Sequence, residues 1–324
     1  MKVSIMTPAR LHLGIIDTCG ELGRIYGSIG ITIDKPNVEL EATPSRTLGA
    51  TGLDAERTIR IARRFIERFP KATNADINVT KTIPEHAGLG SGTQLSLAVG
   101  KAIAAVSALD LSVREIASAL GRGRVSGIGV GAFEHGGFIL DTGRRNGPET
   151  QSVESSVSLT VFQRKFPEEW RFVVAIPNVG KGLFGRAEQE AFSALPPASP
   201  ELVGKICRIV IMRMLPSLIE HNIREFGESV TTVQDLVGES FSRVQGGLFF
   251  SPLVEDSIHF MLRSGAYGAG QSSWGPAMYG ITESSSRAEM LKQRLEGFLN
   301  ERGGGSVFVA KANNDGARTA TSDA

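Results

Sequence analysis

The clearest chemical feature of the sequence is a glycine-rich turn, GLGSGT, directly in front of an apolar helical pattern. Glycine has no Cβ, so the backbone of this turn can approach a ligand closely. The first amide hydrogens of the following helix lack partners, and that end of the helix carries partial positive charge. The segment therefore predicts a phosphate-binding loop. Its members are Gly88, Leu89, Gly90, Ser91, Gly92 and Thr93. A turn that only caps a core helix is the alternative.

A second candidate pair lies near the start of the chain. Arg10 and His12 alternate along an extended stretch, so their side chains point to the same face. Arginine binds a carboxylate or phosphate through two parallel hydrogen bonds, and a neighbouring imidazole suits the same kind of site. We therefore expect both residues to be catalytic. The alternative is that Arg10 pairs with a surface acid and His12 is an interior imidazole.

Further basic residues stand among glycines in GRGRVSG. Arg122, Arg124 and Ser126 in this segment are compatible with a second anion site, the alternative being a charged helix end on the surface. Lys181 and Arg186 also lie in a glycine-punctuated loop, where solvated side chains are the expectation.

Two carboxylates are candidates for catalysis or metal binding, and a third, Asp141, is explained by a turn. Adjacent helical residues point about 100° apart, so Glu134 and His135 cannot both face one ligand. We choose Glu134 as a cation-stabilising or metal-binding carboxylate. Asp17 is a weaker candidate for Mg²⁺ or ribose hydroxyls, a solvated loop acid being the alternative. Asp141 ends a predicted strand, where turns favour aspartate regardless of function.

A second glycine-rich segment, GAYGAGQSSWGP, lies near the C-terminus. Gly268 and Gly270 permit close backbone approach, and Gln271 and Ser272 can reach a bound phosphate. The neighbouring Trp274 can stack on an aromatic ring, although a buried core tryptophan is the more common role.

Strand and helix patterns occur in mixed order, with runs of each, and predict an α+β protein of two lobes. The pattern predicts a helix over 55–69 and a capping box at Ser112 and Glu115. Strands over 28–34 and 38–42 are predicted to be separated by the DKPN turn. Polar sequence over 142–158 indicates a boundary. We predict domains over 1–155 and 156–312 and a disordered tail over 313–324.

Composition limits the function classes. Lys plus Arg number 35 against 34 for Asp plus Glu, which argues against a surface built for nucleic acid. The two cysteines fit neither a disulfide framework nor a metal cluster. No apolar run reaches the length of a membrane span, and the first residues lack the apolar region of a signal peptide. We therefore expect a cytoplasmic protein.

Three segments together resemble the GHMP kinase superfamily. PEHAGLGSGTQLS is similar to its phosphate-loop motif, GAYGAGQSSWGPAMYGI to its C-terminal glycine motif, and PARLHLGIID occupies the place of its substrate motif. Within the superfamily, ARLHLGIID, GRGRVSGIGVGAFEHGGFILDTG and GAYGAGQSSWGP resemble the β-ribofuranosylaminobenzene 5'-phosphate synthases. The order of the segments matches over nearly the whole chain.

The resemblance implies a ribosomal S5 domain 2-like N-terminal lobe and a ferredoxin-like C-terminal lobe. It also implies an enzyme of methanopterin biosynthesis that joins phosphoribosyl pyrophosphate to 4-aminobenzoate or 4-hydroxybenzoate, releasing CO2 and pyrophosphate. Mg²⁺ dependence and a homodimer are implied in the same way.

The phosphate loop departs from the kinase pattern at one position. Gly92 stands where the superfamily's GLGSS motif has its second serine, whose hydroxyl a kinase offers to the nucleotide phosphates or their metal. The departure favours the synthase over a small-molecule kinase using ATP, although Thr93 can replace the hydroxyl. A non-catalytic anion-binding protein of the same fold is the third alternative.

Overall fold

The computed structural model describes residues 1–146, 156–180, 182 and 185–322, with the backbone alone for 185–189. Lys181 and the side chain of Arg186, considered above as loop cations, lie outside the described residues.

The strands of the described residues form two sheets. In chain order they are β1 (Lys2–Asp17), β2 (Arg24–Pro44), β3 (Gly49–Gly52), β4 (Ala75–Lys81), β5 (Phe138–Asp141), β6 (Arg144–Arg145), β7 (Thr160–Arg164), β8 (Arg171–Pro177), β9 (Gly268–Gln271), β10 (Met278–Thr282), β11 (Gly305–Lys311) and β12 (Arg318–Ser322). The larger sheet has the order β12–β1–β2–β4–β3, with β5 and β6 also paired to β2, and β7 to β5. The smaller sheet is antiparallel with the order β11–β8–β10–β9.

The helices pack against both sheets. In chain order they are α1 (Ala55–Arg68), α2 (Ser91–Val106), α3 (Val113–Ala119), α4 (Ile128–Glu134), α5 (Gly185–Ala194), α6 (Pro200–Ile209), α7 (Leu215–Ile219), α8 (Ile223–Gln245), α9 (Pro252–Arg263) and α10 (Ser285–Asn300), with a π-helical turn over Val210–Met214. The predicted capping box is confirmed, because the Ser112 side chain accepts from the Glu115 amide and Glu115 bonds back to Ser112.

The larger sheet and α2 enclose the main core. Leu11 of β1, Ile31 of β2 and Leu97 of α2 are fully buried in one cluster. Helix α2 is buried along nearly its whole length, which explains its apolar sequence. Burial of this kind is the dominant stabilising contribution to folding and holds β1 and the start of α2 in fixed relation.

Helix α8 connects the two halves of the chain. It lies against β9 of the smaller sheet and against β1 of the larger one. The side-chain NH2 group of Gln234 on α8 donates to the Leu13 carbonyl of β1. The side-chain oxygen of Gln234 accepts from the backbone N–H of Gln271 on β9, 2.8 Å away. This side chain ties both sheets to one helix where they face each other.

The predicted α+β class is confirmed by this mixture of sheets and helices. The DKPN segment, however, is no turn: β2 runs through it as one strand, and its pairing with β1 shifts register between Thr7 and Ala9. A bulge of this kind bends a long strand without ending it.

The expected disorder of the C-terminal tail is wrong for residues 318–322, because β12 pairs antiparallel with the first residues of β1. The predicted domain boundary falls among residues that the structure does not describe. The larger sheet nevertheless takes β7 and β12 from beyond it, so the two-domain division stays a prediction. Among the described helices, none has both the length and the apolar character needed to cross a membrane.

Candidate active site

A cavity of about 340 Å³ opens where the two sheets face each other. Its walls come from β1, the first turn of α2, the loop before α4, helix α8 and the residues after β9. Arg10, Thr93, Arg122 and Arg124 make one side cationic and polar. No aspartate or glutamate of the described chain lines the cavity.

Arg10 is positioned by the phosphate loop itself. Its backbone N–H donates to the Leu89 carbonyl, 3.2 Å away, and its guanidinium donates to the Gly88 carbonyl. A Cβ on Gly90 would lie 3.1 Å from the Cγ of Arg10, so the side chain rests on the loop. Strand β1 thus delivers a fixed positive charge to the start of α2.

His12 follows Arg10 on the same face of β1 and also lines the cavity. Burial, and then the charge of Arg10, lower the pKa of His12 to about 3, so the imidazole is neutral. Its backbone N–H donates to the Ser272 hydroxyl, 2.9 Å away, and its carbonyl accepts from Ser273. No described residue hydrogen-bonds to its ring, which leaves the ring nitrogens for a ligand.

The C-terminal glycine segment holds the phosphate loop in place. The Ser272 hydroxyl donates to the Gly88 carbonyl, 2.7 Å away, and a Cβ on Gly88 would overlap the Ser272 carbonyl oxygen. Gly88 and Gly90 adopt φ values of 84° and 89°, a region that favours glycine. Gly90 directly precedes α2, so no side chain caps the amides of its first turn. These amides and the helix dipole favour an anion at this end.

The loop before α4 brings more positive charge to the same place. Arg122 donates to the Ser96 hydroxyl, 3.1 Å away, and its guanidinium lies 3.2 Å from where a Gly92 Cβ would be. Arg124 lines the cavity and makes no ion pair with a described residue. Arg10 and Arg122 therefore lie at the start of α2, and Arg124 lines the same cavity, which matches a ligand with several negative charges.

Relatives that match over most of both chains show the family. A β-ribofuranosylphenol 5'-phosphate synthase of Methanothermobacter thermautotrophicus is 38% identical over 299 residues, 87% of this chain and 89% of the relative. The enzyme of that name from Archaeoglobus fulgidus is 34% identical over 320 residues, 96% of this chain and 97% of the relative. The chain belongs to the β-ribofuranosylphenol 5'-phosphate synthase family.

The synthase family shares its fold with kinases. Residues 56–137 match the GHMP kinases N terminal domain, which includes the phosphate loop. Phosphomevalonate kinase of Streptococcus pneumoniae superposes with a TM-score of 0.70 over 97% of this chain and 100% of that chain, at 13% identity. At this identity the likeness shows the fold alone. The resemblance to the GHMP kinase superfamily and the synthase family is confirmed.

The structure gathers many of the predicted site residues at the cavity. Those that line it are Arg10, His12, Thr93, Arg122, Arg124, Ser126, Gln271 and Trp274. The other residues of the phosphate loop lie next to Arg10, and Leu89 and Ser91 among them are buried. Their roles in this member of the synthase family stay predictions.

Two predicted glycines have a packing role. A Cβ on Gly270 would lie 2.5 Å from the Cγ of Gln234, and one on Gly268 would overlap the backbone of Gly227. Both contacts are with α8. These glycines let the helix approach β9 closely, and neither lines the cavity.

Two predicted carboxylates lie outside the cavity lining, and their roles stay predictions. Glu134 is the last residue of α4, whose first turn faces the cavity, and it does not line the cavity. Its carboxylate lies 4.0 Å from His135, and burial raises its pKa. Asp17 accepts hydrogen bonds from the Cys19 and Gly20 amides at 2.7 and 3.0 Å, so it holds a turn outside the cavity lining.

Asp141, interpreted above as a turn residue, supports the cavity wall. Its carboxylate is fully buried and accepts hydrogen bonds from the Ser28 hydroxyl and from the Gly127 and Gly143 amides. Ser28 lies 2.7 Å from the hydroxyl of Ser126, which lines the cavity. Burial raises the pKa of Asp141 to about 6, although these hydrogen bonds act in the opposite direction. No local pattern distinguishes this aspartate from an ordinary turn residue.

Apart from Trp274, sequence reasoning missed the residues of the apolar wall of the cavity. Phe192 of α5 and Val237 and Phe241 of α8 line it together with Trp274. Three of these residues lie on amphipathic helices with nothing in their spacing to separate a cavity wall from a core face.

Proposed function

We propose that the protein condenses phosphoribosyl pyrophosphate with 4-hydroxybenzoate, releasing CO2 and pyrophosphate, as an enzyme of methanopterin biosynthesis. The observation that carries the proposal is the cationic side of the cavity, where Arg10 and Arg122 lie at the uncapped start of α2 and Arg124 lines the cavity. A donor with a pyrophosphate and a 5'-phosphate needs such a site. The relatives are named for a phenol product, which favours the hydroxyl over the amino acceptor.

The reaction balances without a proton acceptor for the ring. The bond from the anomeric carbon to pyrophosphate breaks as that carbon bonds to the ring carbon bearing the carboxylate. The ring then loses CO2, and the electron pair of that bond restores its aromaticity. A general base is therefore unnecessary at the ring carbon, which accords with a described cavity lining free of aspartate and glutamate.

The residues of the cationic side stabilise the departing negative charge. Pyrophosphate leaves as positive charge develops on the ribose, so preorganised donors near the leaving group lower the barrier. Arg10 and the amides of the first turn of α2 are the donors best placed for this role. The neutral His12 beside them adds no positive charge that would oppose the developing cation.

Mg²⁺ is proposed as part of the donor and not as a metal held by the protein. The described residues contain no cluster of three histidines, cysteines, aspartates or glutamates suited to a metal. Asp17, the predicted ligand, is committed to a turn. A pyrophosphate brings its own oxygen ligands for Mg²⁺.

The assay uses carboxyl-labelled 4-hydroxybenzoate with phosphoribosyl pyrophosphate and Mg²⁺. We expect labelled CO2 and pyrophosphate in equal amounts, with slower release from 4-aminobenzoate. In parallel, ATP is supplied with simple alcohols, and no ADP is expected. Formation of ADP without any CO2 release would establish the kinase alternative. The homodimer and the cytoplasmic location that we also propose are checked by sedimentation and by cell fractionation.

A further inference from the structure

The apolar wall of the cavity is built from three aromatic rings. The ring of Trp274 lies 5.3 Å from that of Phe192 and 5.0 Å from that of Phe241, edge to face in both cases. The rings of Phe192 and Phe241 are 6.1 Å apart, also edge to face. All three residues line the cavity, and Ile15 belongs to the same cluster. Such edge-to-face contacts fix the rings and leave an aromatic surface towards the cavity.

Strand β1 determines where this wall lies relative to the arginines. Arg10 contacts the phosphate loop, whereas a Cβ on Gly14 would lie 2.9 Å from Val237 of α8. Four residues of extended strand span about 13 Å. His12 lies between the two ends. The cavity thus has a cationic end, a neutral imidazole and an aromatic end in the order of the strand.

The polar side chains near the aromatic end differ in what they can offer a ligand. The Gln271 amide group is fully used, since it donates to Gln245 and Ser273 and accepts from the Phe250 amide. The indole N–H of Trp274 has no hydrogen-bond partner among the described residues, and Trp274 faces the cavity. A ligand there finds aromatic surface and the indole N–H as a hydrogen-bond donor.

We propose that Phe192, Phe241 and Trp274 bind the aromatic ring of the acceptor, with the Trp274 indole N–H as hydrogen-bond donor to its oxygen substituent. This inference rests on the proposed function for the identity of the ring. It places the acceptor on the opposite side of His12 from the pyrophosphate, so the anomeric carbon lies between leaving group and attacking carbon. An apolar wall also favours conversion of a charged carboxylate into neutral CO2, because burying an unpaired charge is costly.

The chain offers a direct optical test, since Trp170 and Trp274 are its two tryptophans. Trp170 is buried against Phe166 and Phe226 and does not line the cavity. In Trp170→Phe, fluorescence comes from Trp274 and should change saturably on titration with 4-hydroxybenzoate in the presence of pyrophosphate and Mg²⁺. In Trp274→Phe, the remaining fluorescence should not respond. If Trp170→Phe does not fold, subtracting the Trp274→Phe response from that of wild type gives the same quantity.

Steady-state kinetics supplies a second, independent measurement. Loss of one ring of the wall should raise the KM for the acceptor at least about fivefold, on the scale of one lost aromatic contact. Phe192→Ala should show this change with the KM for phosphoribosyl pyrophosphate within about twofold of wild type. Phe162→Ala is the matched control, because Phe162 is half-buried against Phe138 and lies outside the cavity lining.

The outcomes separate the subsite from the reaction. Saturable quenching of Trp274 by 4-hydroxybenzoate without CO2 release would retain the aromatic subsite and overturn the proposed function. Acceptor binding detected by calorimetry with unchanged Trp274 fluorescence would overturn the subsite. An equal rise of both KM values in Phe192→Ala would also overturn it, since a general structural role predicts that result.

Discussion

At the scale of single residues, His12 is the side chain whose charge the fold decides. Its pKa is about 3 in the folded chain against 6.5 in the unfolded chain. Between these two pH values, the unfolded chain binds the proton and the folded chain does not. The stability that depends on neutral His12 is present above pH 6.5 and is lost towards pH 3. His12→Asn removes this dependence. Between pH 7.5 and 5, wild type should lose about 2 kcal/mol more unfolding free energy than the variant.

Urea denaturation at the two pH values measures this difference. Equal losses in both proteins would mean that His12 is protonated in the folded state and would remove its assignment as a neutral group.

The pH dependence of stability that Asp141 contributes has the opposite sign to that of His12. Its pKa is raised from 3.8 to about 6, so its contribution to stability is present below pH 3.8 and is lost as the pH rises through 6. In Asp141→Asn, the unfolding free energy relative to wild type should rise by about 3 kcal/mol from pH 3 to 7. The KM for the donor should also rise, since an amide nitrogen cannot accept from Ser28 and Gly127. A relative stability independent of pH would show that the carboxyl is not perturbed by burial.

Substitution of Arg10 by lysine tests whether the planar shape of the side chain matters when its charge is kept. Arg10→Lys retains the positive charge but loses the planar group that donates to Gly88 and faces the cavity. A charged hydrogen bond contributes about 1.5–3 kcal/mol, so kcat/KM for the donor should fall by roughly tenfold or more. Arg60→Lys on α1 is the control, because that side chain is 68% exposed with an ion pair of 3.9 Å. Equal activity in both variants would remove Arg10 from the site.

At the scale of elements, the glycines of the phosphate loop serve different purposes. Gly88 touches the Ser272 backbone, whereas Gly90 touches the side chain of Arg10. Both have positive φ, which costs alanine about 1 kcal/mol. Gly88→Ala should therefore destabilise the fold beyond that amount. Gly90→Ala should fold and bind the donor weakly.

Denaturation and calorimetric titration with phosphoribosyl pyrophosphate measure the two effects. Gly303→Ala is the matched control, since Gly303 also has a positive φ, no atom lies within 4 Å of where its Cβ would be, and it is outside the cavity lining. Wild-type donor affinity in folded Gly90→Ala would show that the turn is only a helix cap.

At the scale of the whole molecule, the C-terminal strand closes an edge far from the cavity. β12 pairs with Lys2–Met6 of β1, while the cavity begins at Arg10 on the same strand. Removing residues 318–324 should lower stability and promote association through the exposed edge of β1. The KM values of the truncated chain should stay within about twofold of wild type, because no cavity contact is lost. Thermal denaturation, light scattering and the CO2 assay give these readouts. A large loss of activity in a folded truncated chain would contradict the independence of edge and site.

Local sequence patterns were sufficient to predict the glycine turn in front of α2, the capping box of α3 and the shared face of Arg10 and His12. These features depend on residues within a few positions of one another, where backbone geometry and helix-end chemistry act directly. The family was predictable for a related reason, since several such motifs occur in a fixed order.

Only the tertiary structure decided which distant residues meet. Ser272 bonds to Gly88 across 184 residues, and Ser28 to Asp141 across 113. The packing of Gly270 against α8 and the aromatic wall at Trp274 depend on contacts of the same kind. A periodic pattern states that a side chain is buried and leaves open what buries it. That choice follows from how both sheets pack on α8, which no short segment of the chain encodes.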